Sequence, residues 1–298
     1  MQDVAGRTPM TISAVSTMLG IPVPTIRSWE RRYGFPTPDR TGGRHRRYSP
    51  QDVELLRLLR DEITRGNRAR DAVELIRRAP PDRIPRAGFV EDFLSAAMRL
   101  DPTGLRSALD GAAQGLGVED AVRDVVLAAM REIGDRWRTG ACDVANEHLA
   151  TEAVRSWLAR MIAMSPPPFR PGAVVLACGP KELHTIGLEA FTLLLRRRGW
   201  SCRLLGALTP SRSVVAAVQA TGAVAGVIAS QRSVTRRAAV ETVAAVDAIP
   251  GTTAFYAGNA FSAPSARARV PGVYLGPHVV EATSILERSI TSPRRRRP

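Results

Sequence analysis

The sequence predicts a multidomain protein of α and α/β class: an N-terminal winged helix-turn-helix, a four-helix bundle and a Rossmann-like, doubly wound parallel sheet. Three observations carry this expectation. Two Pro-rich joints, RAPPDRIPRAG (78–88) and SPPPFRPG (165–172), cut the 298 residues into three segments. Across the second joint the hydrophobic pattern changes from long helical periods to short apolar runs alternating with helices. The net charge of +14 divides as +6 over residues 1–79, −3 over 80–167 and +11 over 168–298. Two basic blocks around an acidic middle imply a polyanion partner for at least one of them. The expected boundaries are 1–79, 88–165 and 171–290, followed by a basic tail at 291–298 (SPRRRRP in 292–298) expected to be disordered.

In the first segment Thr11 is placed to cap a helix with Ile12, Val15 and Leu19 on one face; Gly20 ends it, and Pro22 with Pro24 opens the next. Two short helices around a glycine turn make a helix-turn-helix. The second helix offers Thr25, Arg27, Ser28, Arg31 and Arg32 to base edges and phosphates, while Trp29 suits the small core. Next, Gly42 and Gly43 permit a tight hairpin crowded by Arg44, His45, Arg46, Arg47 and Tyr48. Such a wing can follow a phosphate backbone or enter a minor groove. Ser49, Pro50 and Asp52 then start another helix.

The middle segment reads as four helices: FVEDFLSAAMRL, GLRSALDGAAQGL, EDAVRDVVLAAMREIGDRW and VANEHLATEAVRSWLARMIAM, with Asp143 as a cap for the last. In the third segment AVVLACG, SCRLLGAL, AVAGVIAS, TTAFYAG and GVYLG read as strands, with helices over 187–199, 211–221, 235–248 and 278–290. Alternating βα units predict a parallel sheet covered on both faces. No apolar run approaches the roughly 18 residues of a membrane span, and no signal peptide is evident, so the chain is expected in the cytoplasm. Three widely spaced cysteines, Cys142, Cys178 and Cys202, read as buried free thiols.

His184, one of four histidines, follows the first apolar run of the third segment and precedes its first helix, the junction where α/β units bind ligands. Glu182 and Cys178 alone make a poor zinc set, no Ser or Cys elbow stands beside it, and Lys181 does not fit a phosphate loop. What remains is one imidazole with a carboxylate two residues before it. That pair is suited to a single axial bond to a metal already held by a cofactor, with Glu182 polarising the ring N–H.

Three resemblances follow. The order helix-turn-helix, WERRYG, GGRHRRYS, helix resembles the MerR family of winged-helix regulators over about 70 residues, which implies double-stranded operator DNA as partner and dimeric binding on two half-sites. ELHTIG resembles the D/E-x-H-x-x-G motif of cobalamin-binding domains. The resemblance makes His184 the lower cobalt ligand, with Glu182 and Gly187 beside it, and sends the cofactor's nucleotide tail into a slot at Ser230 and at Ala257–Gly258, where the family carries Gly-Gly. Arg232 stands where that family usually has an apolar residue. Trp137, followed after nine residues by Glu147 and His148, resembles the W-x9-E-H signature of the helical cap in cobalamin photoreceptors, where these residues cover the upper 5′-deoxyadenosyl group. Taken by themselves, Trp137 and His148 suit a bundle core.

The whole chain therefore resembles the CarH/LitR family of light-responsive repressors. This implies a non-enzymatic regulator in which adenosylcobalamin assembles a homo-oligomer, dimer or tetramer, on DNA in the dark, and light disperses it. One departure is Arg138, which occupies the place of a second histidine that often locks the family's photoproduct. The alternative reading is a MerR-like regulator that works without cobalamin, through a protein partner or another ligand. A corrinoid methyltransferase subunit is opposed by the winged helix.

Overall fold

The computed structural model describes residues 10–40, 46–64, 67–78 and 84–291, which fall into two compact units, Met1–Gly88 and Phe89–Pro298. Among these residues no helix is long and apolar enough to cross a membrane.

The first unit starts with α1 (Ile12–Leu19). The Thr11 hydroxyl accepts from the Ala14 amide at 3.3 Å, and Gly20 closes the helix in the left-handed region at φ 65°. α2 (Val23–Tyr33) opens on Pro22 and Pro24 and ends at Gly34. β1 (Asp39–Arg40) pairs antiparallel with β2 (Arg46–Arg47), and Tyr48 bridges to Met10. α3 (Pro50–Thr64) begins with a reciprocal cap: the Asp52 carboxylate accepts from the Ser49 amide at 2.8 Å, and the Ser49 hydroxyl accepts from the Asp52 amide at 3.1 Å. α4 (Ala69–Arg78) packs back on α3. Val15, Leu19, Ile26, Trp29, Tyr48 and Leu56 are among the residues of the core between these elements, so Trp29 is packed as its mid-helix place predicts.

The second unit begins with a four-helix bundle. α5 (Ile84–Met98) is followed by α6 (Pro102–Leu116), capped by Asp101. A third long helix comprises α7 (Val118–Asp120), a π-helical turn over Ala121–Val126, and α8 (Leu127–Arg138). α9 (Val144–Ala163) starts with a capping box between Asp143 and Asn146. Phe93, Leu105, Leu109, Ile133, Val154 and Leu158 are fully or almost fully buried at its centre. Trp157, also buried there, satisfies its indole N–H on Asp110 at 3.0 Å.

The sheet comprises β3 (Ala173–Cys178), β4 (Ser201–Gly206), β5 (Ala225–Ala229), β6 (Thr253–Ala257) and β7 (Val273–Tyr274), all parallel, in the order β4-β3-β5-β6-β7. β3 is buried along its whole length, as a central parallel strand must be. Val174, Leu176 and Cys178 face α10 (Ile186–Arg197) and α14 (Val279–Thr291). Ala173, Val175 and Ala177 face α11 (Ser211–Thr221) and α12 (Arg236–Asp247). This is the doubly wound arrangement that the alternating pattern predicts.

α10 is buried on every side over 188–195 because it also packs on α9, and its Ala190 and Leu193 belong to the bundle core. Arg155 of α9 pairs with the buried Glu189 of α10 at 3.2 Å. Bundle and sheet thus share one compact unit. Cys178 and Cys202 are buried thiols, pushed up to about 12 by that burial, whereas Cys142 is only half-buried.

The strand order places a topological switch point between β3 and β5. The chain leaves β3 toward one face and β5 toward the other, so the loops after these two strands open a crevice at the carboxyl edge of the sheet. His184 lies in the first of these loops and Ser230 in the second.

Candidate functional site

Glu182 anchors the crevice. It is completely buried and accepts six hydrogen bonds. One carboxylate oxygen, Oε1, takes the amides of Leu183 and His184 at 3.0 and 3.1 Å and His184 Nδ1 at 2.6 Å. The other, Oε2, takes the amides of Gln231 and Arg232 at 2.7 and 3.2 Å and the Thr235 hydroxyl at 2.9 Å. Burial pushes the carboxyl pKa up, but the bonds from His184, Gln231 and Thr235 outweigh it and hold the group at about 2.

An ionised carboxylate only accepts, so in the neutral form of the imidazole the proton sits on Nδ1 and the lone pair on Nε2. The ring is 59% exposed, leaving Nε2 open to a ligand. Among the described residues no group of three or more His, Cys, Asp or Glu could cage a metal ion. The imidazole therefore belongs to no protein-built metal centre among them.

The same carboxylate ties the loop after β3 to the loop after β5. Thr235 is itself in contact with Ser230, hydroxyl to hydroxyl at 2.7 Å, which extends the chain from His184 through Glu182 and Thr235 to Ser230. Two non-glycine residues of the surrounding loops, Lys181 (φ 66°) and Leu208 (φ 53°), adopt the left-handed region, and the Leu208 amide donates to the Glu182 carbonyl at 2.9 Å. Strain of this kind persists only where the surroundings over-determine it. Three large apolar side chains stand exposed on successive βα loops: Leu183 at 64%, Leu208 at 52% and Val234 at 73%. Exposed apolar side chains on the same edge of the sheet as His184 are of the type that a partly apolar ligand would cover.

Ser230 is buried, and its amide donates to the Ala257 carbonyl at 3.0 Å. Ala257 and Gly258 are half-buried at the end of β6. A Cβ at Gly258 would lie 2.1 Å from the Ser230 carbonyl oxygen, and its φ of 106° is open only to glycine, so only this position of the pair demands one. Gly258→Ala should destabilise the second unit by about 2 kcal/mol or more, a loss readable in a denaturant melt; an unchanged midpoint would refute the close approach. At Gly187 a Cβ would meet only Gln231 Nε2 at 3.7 Å, so the fold itself does not require glycine there. Arg232 is exposed, and its amide serves Glu182.

On the bundle, Trp137 is 55% exposed in the last turn of α8, which corrects the reading of it as a core residue. His148 is likewise exposed, with Nε2 3.6 Å from Glu147, and Glu147 accepts from the Thr151 hydroxyl at 2.9 Å. Arg138 is exposed and paired with Asp135, one turn back.

In the first unit Arg27, Arg31 and Arg32 are exposed on α2, with Thr25 and Ser28 half-buried beside them. Arg46 and Arg47 are half-buried on β2, and Arg46 Nε donates to Glu30 of α2 at 2.6 Å, which ties the wing to the helix. Tyr48 is corrected: it is fully buried, its hydroxyl donates to Glu30, and burial with the Glu30 charge pushes its phenol far above the usual range. It belongs to the core of this unit, with its hydroxyl taken by Glu30. Arg44 and His45, and the tail residues 292–298, lie outside the described residues.

Sequence reasoning missed Thr235, Gln231 and the exposed leucines. Thr235 lies 53 residues from the carboxylate it serves, and no local pattern marks it.

Residues 10–78 match the family described as MerR HTH family regulatory protein, and residues 90–161 match the B12 binding domain family. The chain is 35% identical over 212 residues to the HTH-type transcriptional repressor CarA of Myxococcus xanthus, covering 69% of this chain and 70% of that protein. It is 33% identical over 224 residues to the HTH-type transcriptional repressor CarH of the same organism, covering 70% and 74%. The solved monomethylamine corrinoid protein of Methanosarcina barkeri is similar in fold at TM-score 0.54 and 13% identity, over 67% of this chain and 98% of that one.

Proposed function

Because the chain belongs to the family of MerR-type transcriptional repressors with a B12-binding domain that includes CarA and CarH, we propose that it represses transcription under the control of adenosylcobalamin and acts as a light sensor. The observation that carries this reading is the His184–Glu182 pair, an exposed Nε2 on a ring fixed in one tautomer at the switch point of the sheet. When bound, adenosylcobalamin would supply a cobalt centre with a light-sensitive cobalt–carbon bond.

The protein's own residues do the rest. His184 would hold the cobalt through Nε2, and Glu182 fixes the orientation of the ring. Gly187, with Leu183, Leu208 and Val234, gives the macrocycle a close and apolar seat. Ser230, Ala257 and Gly258 line the slot for the nucleotide tail. Trp137, Glu147 and His148 cover the upper face, and the exposure of Trp137 is what a side chain kept for a ligand would show.

On DNA, Thr25, Arg27, Ser28, Arg31 and Arg32 read the major groove. Arg46 and Arg47 contact phosphates with Arg44 and His45 of the wing, and two copies occupy paired half-sites. No reaction is assigned to the protein: it is a regulator, not an enzyme.

The test is to load the full chain with adenosylcobalamin in the dark, then follow its size by gel filtration and its binding to DNA upstream of its own gene. A larger species that retards this DNA, and that shrinks and releases it on illumination, is the expected result. DNA binding indifferent to cofactor and light would leave a MerR-like regulator that works without cobalamin.

A further inference from the structure

We propose that the cleft between the start of α12 and the segment 259–266 is a second ligand site, which takes the phosphoryl group of a small molecule other than the one held at His184. The proposal is independent of the cobalamin reading. The cleft has a volume of about 620 Å³ and is lined by Gln231, Ser233, Arg236, Asn259, Ser262 and Ser265, with three alanines completing the wall.

Its hydrogen-bonding character is one-sided. No acidic side chain lines it. Arg236 crosses to the far wall, where its Nη1 donates to the Ala266 carbonyl at 3.0 Å, and no carboxylate among the described residues pairs with it. Its neighbour Arg237 behaves differently, lying on the surface in a pair with Glu241 at 3.1 Å.

Several backbone carbonyls of the wall are already served. The Phe261 and Ser262 carbonyls accept from Arg267 at 3.0 and 2.7 Å, and the Asn259 carbonyl accepts from the Ser262 hydroxyl at 2.9 Å. Gln231 Oε1 accepts from the Asn259 amide at 3.0 Å, while its Nε2 lies on the side of Gly187. The hydroxyls of Ser233 and Ser265, the side-chain amide of Asn259 and the remaining guanidinium N–H groups have no partner among the described residues.

A cleft with a guanidinium and no carboxylate in its lining repels metal cations. It fits an acceptor-rich anion, and a phosphoryl group matches the planar fork of arginine and has oxygens enough for several donors.

Calorimetric titration of the full chain with inorganic phosphate, at constant ionic strength against chloride, tests the site. Saturable binding is expected, weakened about tenfold or more by Arg236→Gln, several-fold by Ser233→Ala, and not at all by Arg237→Gln. The Ser233 variant keeps the test decisive should the Arg236 variant fold poorly. Wild-type phosphate binding in both Arg236→Gln and Ser233→Ala, or no saturable binding in the wild type, would overturn the proposal. Protein loaded with adenosylcobalamin should bind phosphate as the free protein does. Loss of binding on loading would mean that the cleft takes the cofactor's own phosphodiester, and a separate ligand would be ruled out.

Discussion

Replacing His184 with alanine should strip the protein of its ability to retain adenosylcobalamin, weakening binding by at least about 100-fold. The argument rests on how little else in the crevice can hold a metal. Nε2 of His184 is exposed and carries the lone pair, and no group of metal-binding side chains clusters among the described residues. The leucines around it contribute apolar contact, which is non-directional and survives the substitution. A variant with the apolar seat but no imidazole should therefore bind the corrin weakly and lose it on desalting. The measurement is the visible spectrum of the protein fraction after a dark gel-filtration step. Glu182→Gln should fall between the two, since it removes the carboxylate partner of the ring but leaves the nitrogen. Full colour in the His184→Ala protein would sink the axial-ligand reading while leaving the DNA-binding unit untouched.

How far the sequence could go depended on the range of each interaction. Local signals were legible. Thr11 with Gly20, Ser49 with Asp52, and Asp143 act within one helical turn, and all three caps form as their spacing predicts. His184 and Glu182 share one short loop, so their partnership could also be read along the chain. Contacts made by topology could not. Thr235 reaches Glu182 only because β5 lies beside β3, an adjacency that no local pattern encodes.

Tyr48 failed for another reason. It follows two wing arginines and shares their polarity by type, but the side-chain direction set by its bridge to Met10 carries its ring inward, where Glu30 satisfies the hydroxyl. The reading of Trp137, taken by itself, as a core residue erred in the opposite sense. Four residues beyond the buried Ile133, Trp137 continues the apolar face of α8, yet it sits in the last turn of that helix and stands exposed. Periodicity predicts a face, and only packing shows where the face stops being covered.

Glu182→Gln should cost the ligand-free protein about 3 kcal/mol at neutral pH, and the cost should vanish in acid. The carboxyl is held at about 2 against an ordinary value of 4.5, and each unit of such a shift corresponds to about 1.4 kcal/mol. The folded value lies below the unfolded one, so the contribution is complete above the unfolded pKa and is lost as pH falls through the folded one. Unfolding free energies of wild type and variant should therefore differ most at pH 6–8 and converge between about pH 5 and pH 2.

The chemistry of the site explains why glutamine cannot substitute. Both carboxylate oxygens face only donors, four of them backbone amides that cannot reverse their role. An amide side chain must turn its NH₂ toward one of these sets, leaving backbone N–H groups buried without an acceptor. His184 can relieve part of the conflict by moving its proton to Nε2, but that consumes the lone pair a metal would need. Loss of stability and weakening of the ligand nitrogen thus share one cause. A gap between the two proteins that stayed constant from pH 8 down to pH 2 would show that Glu182 acts through its shape alone and not its charge.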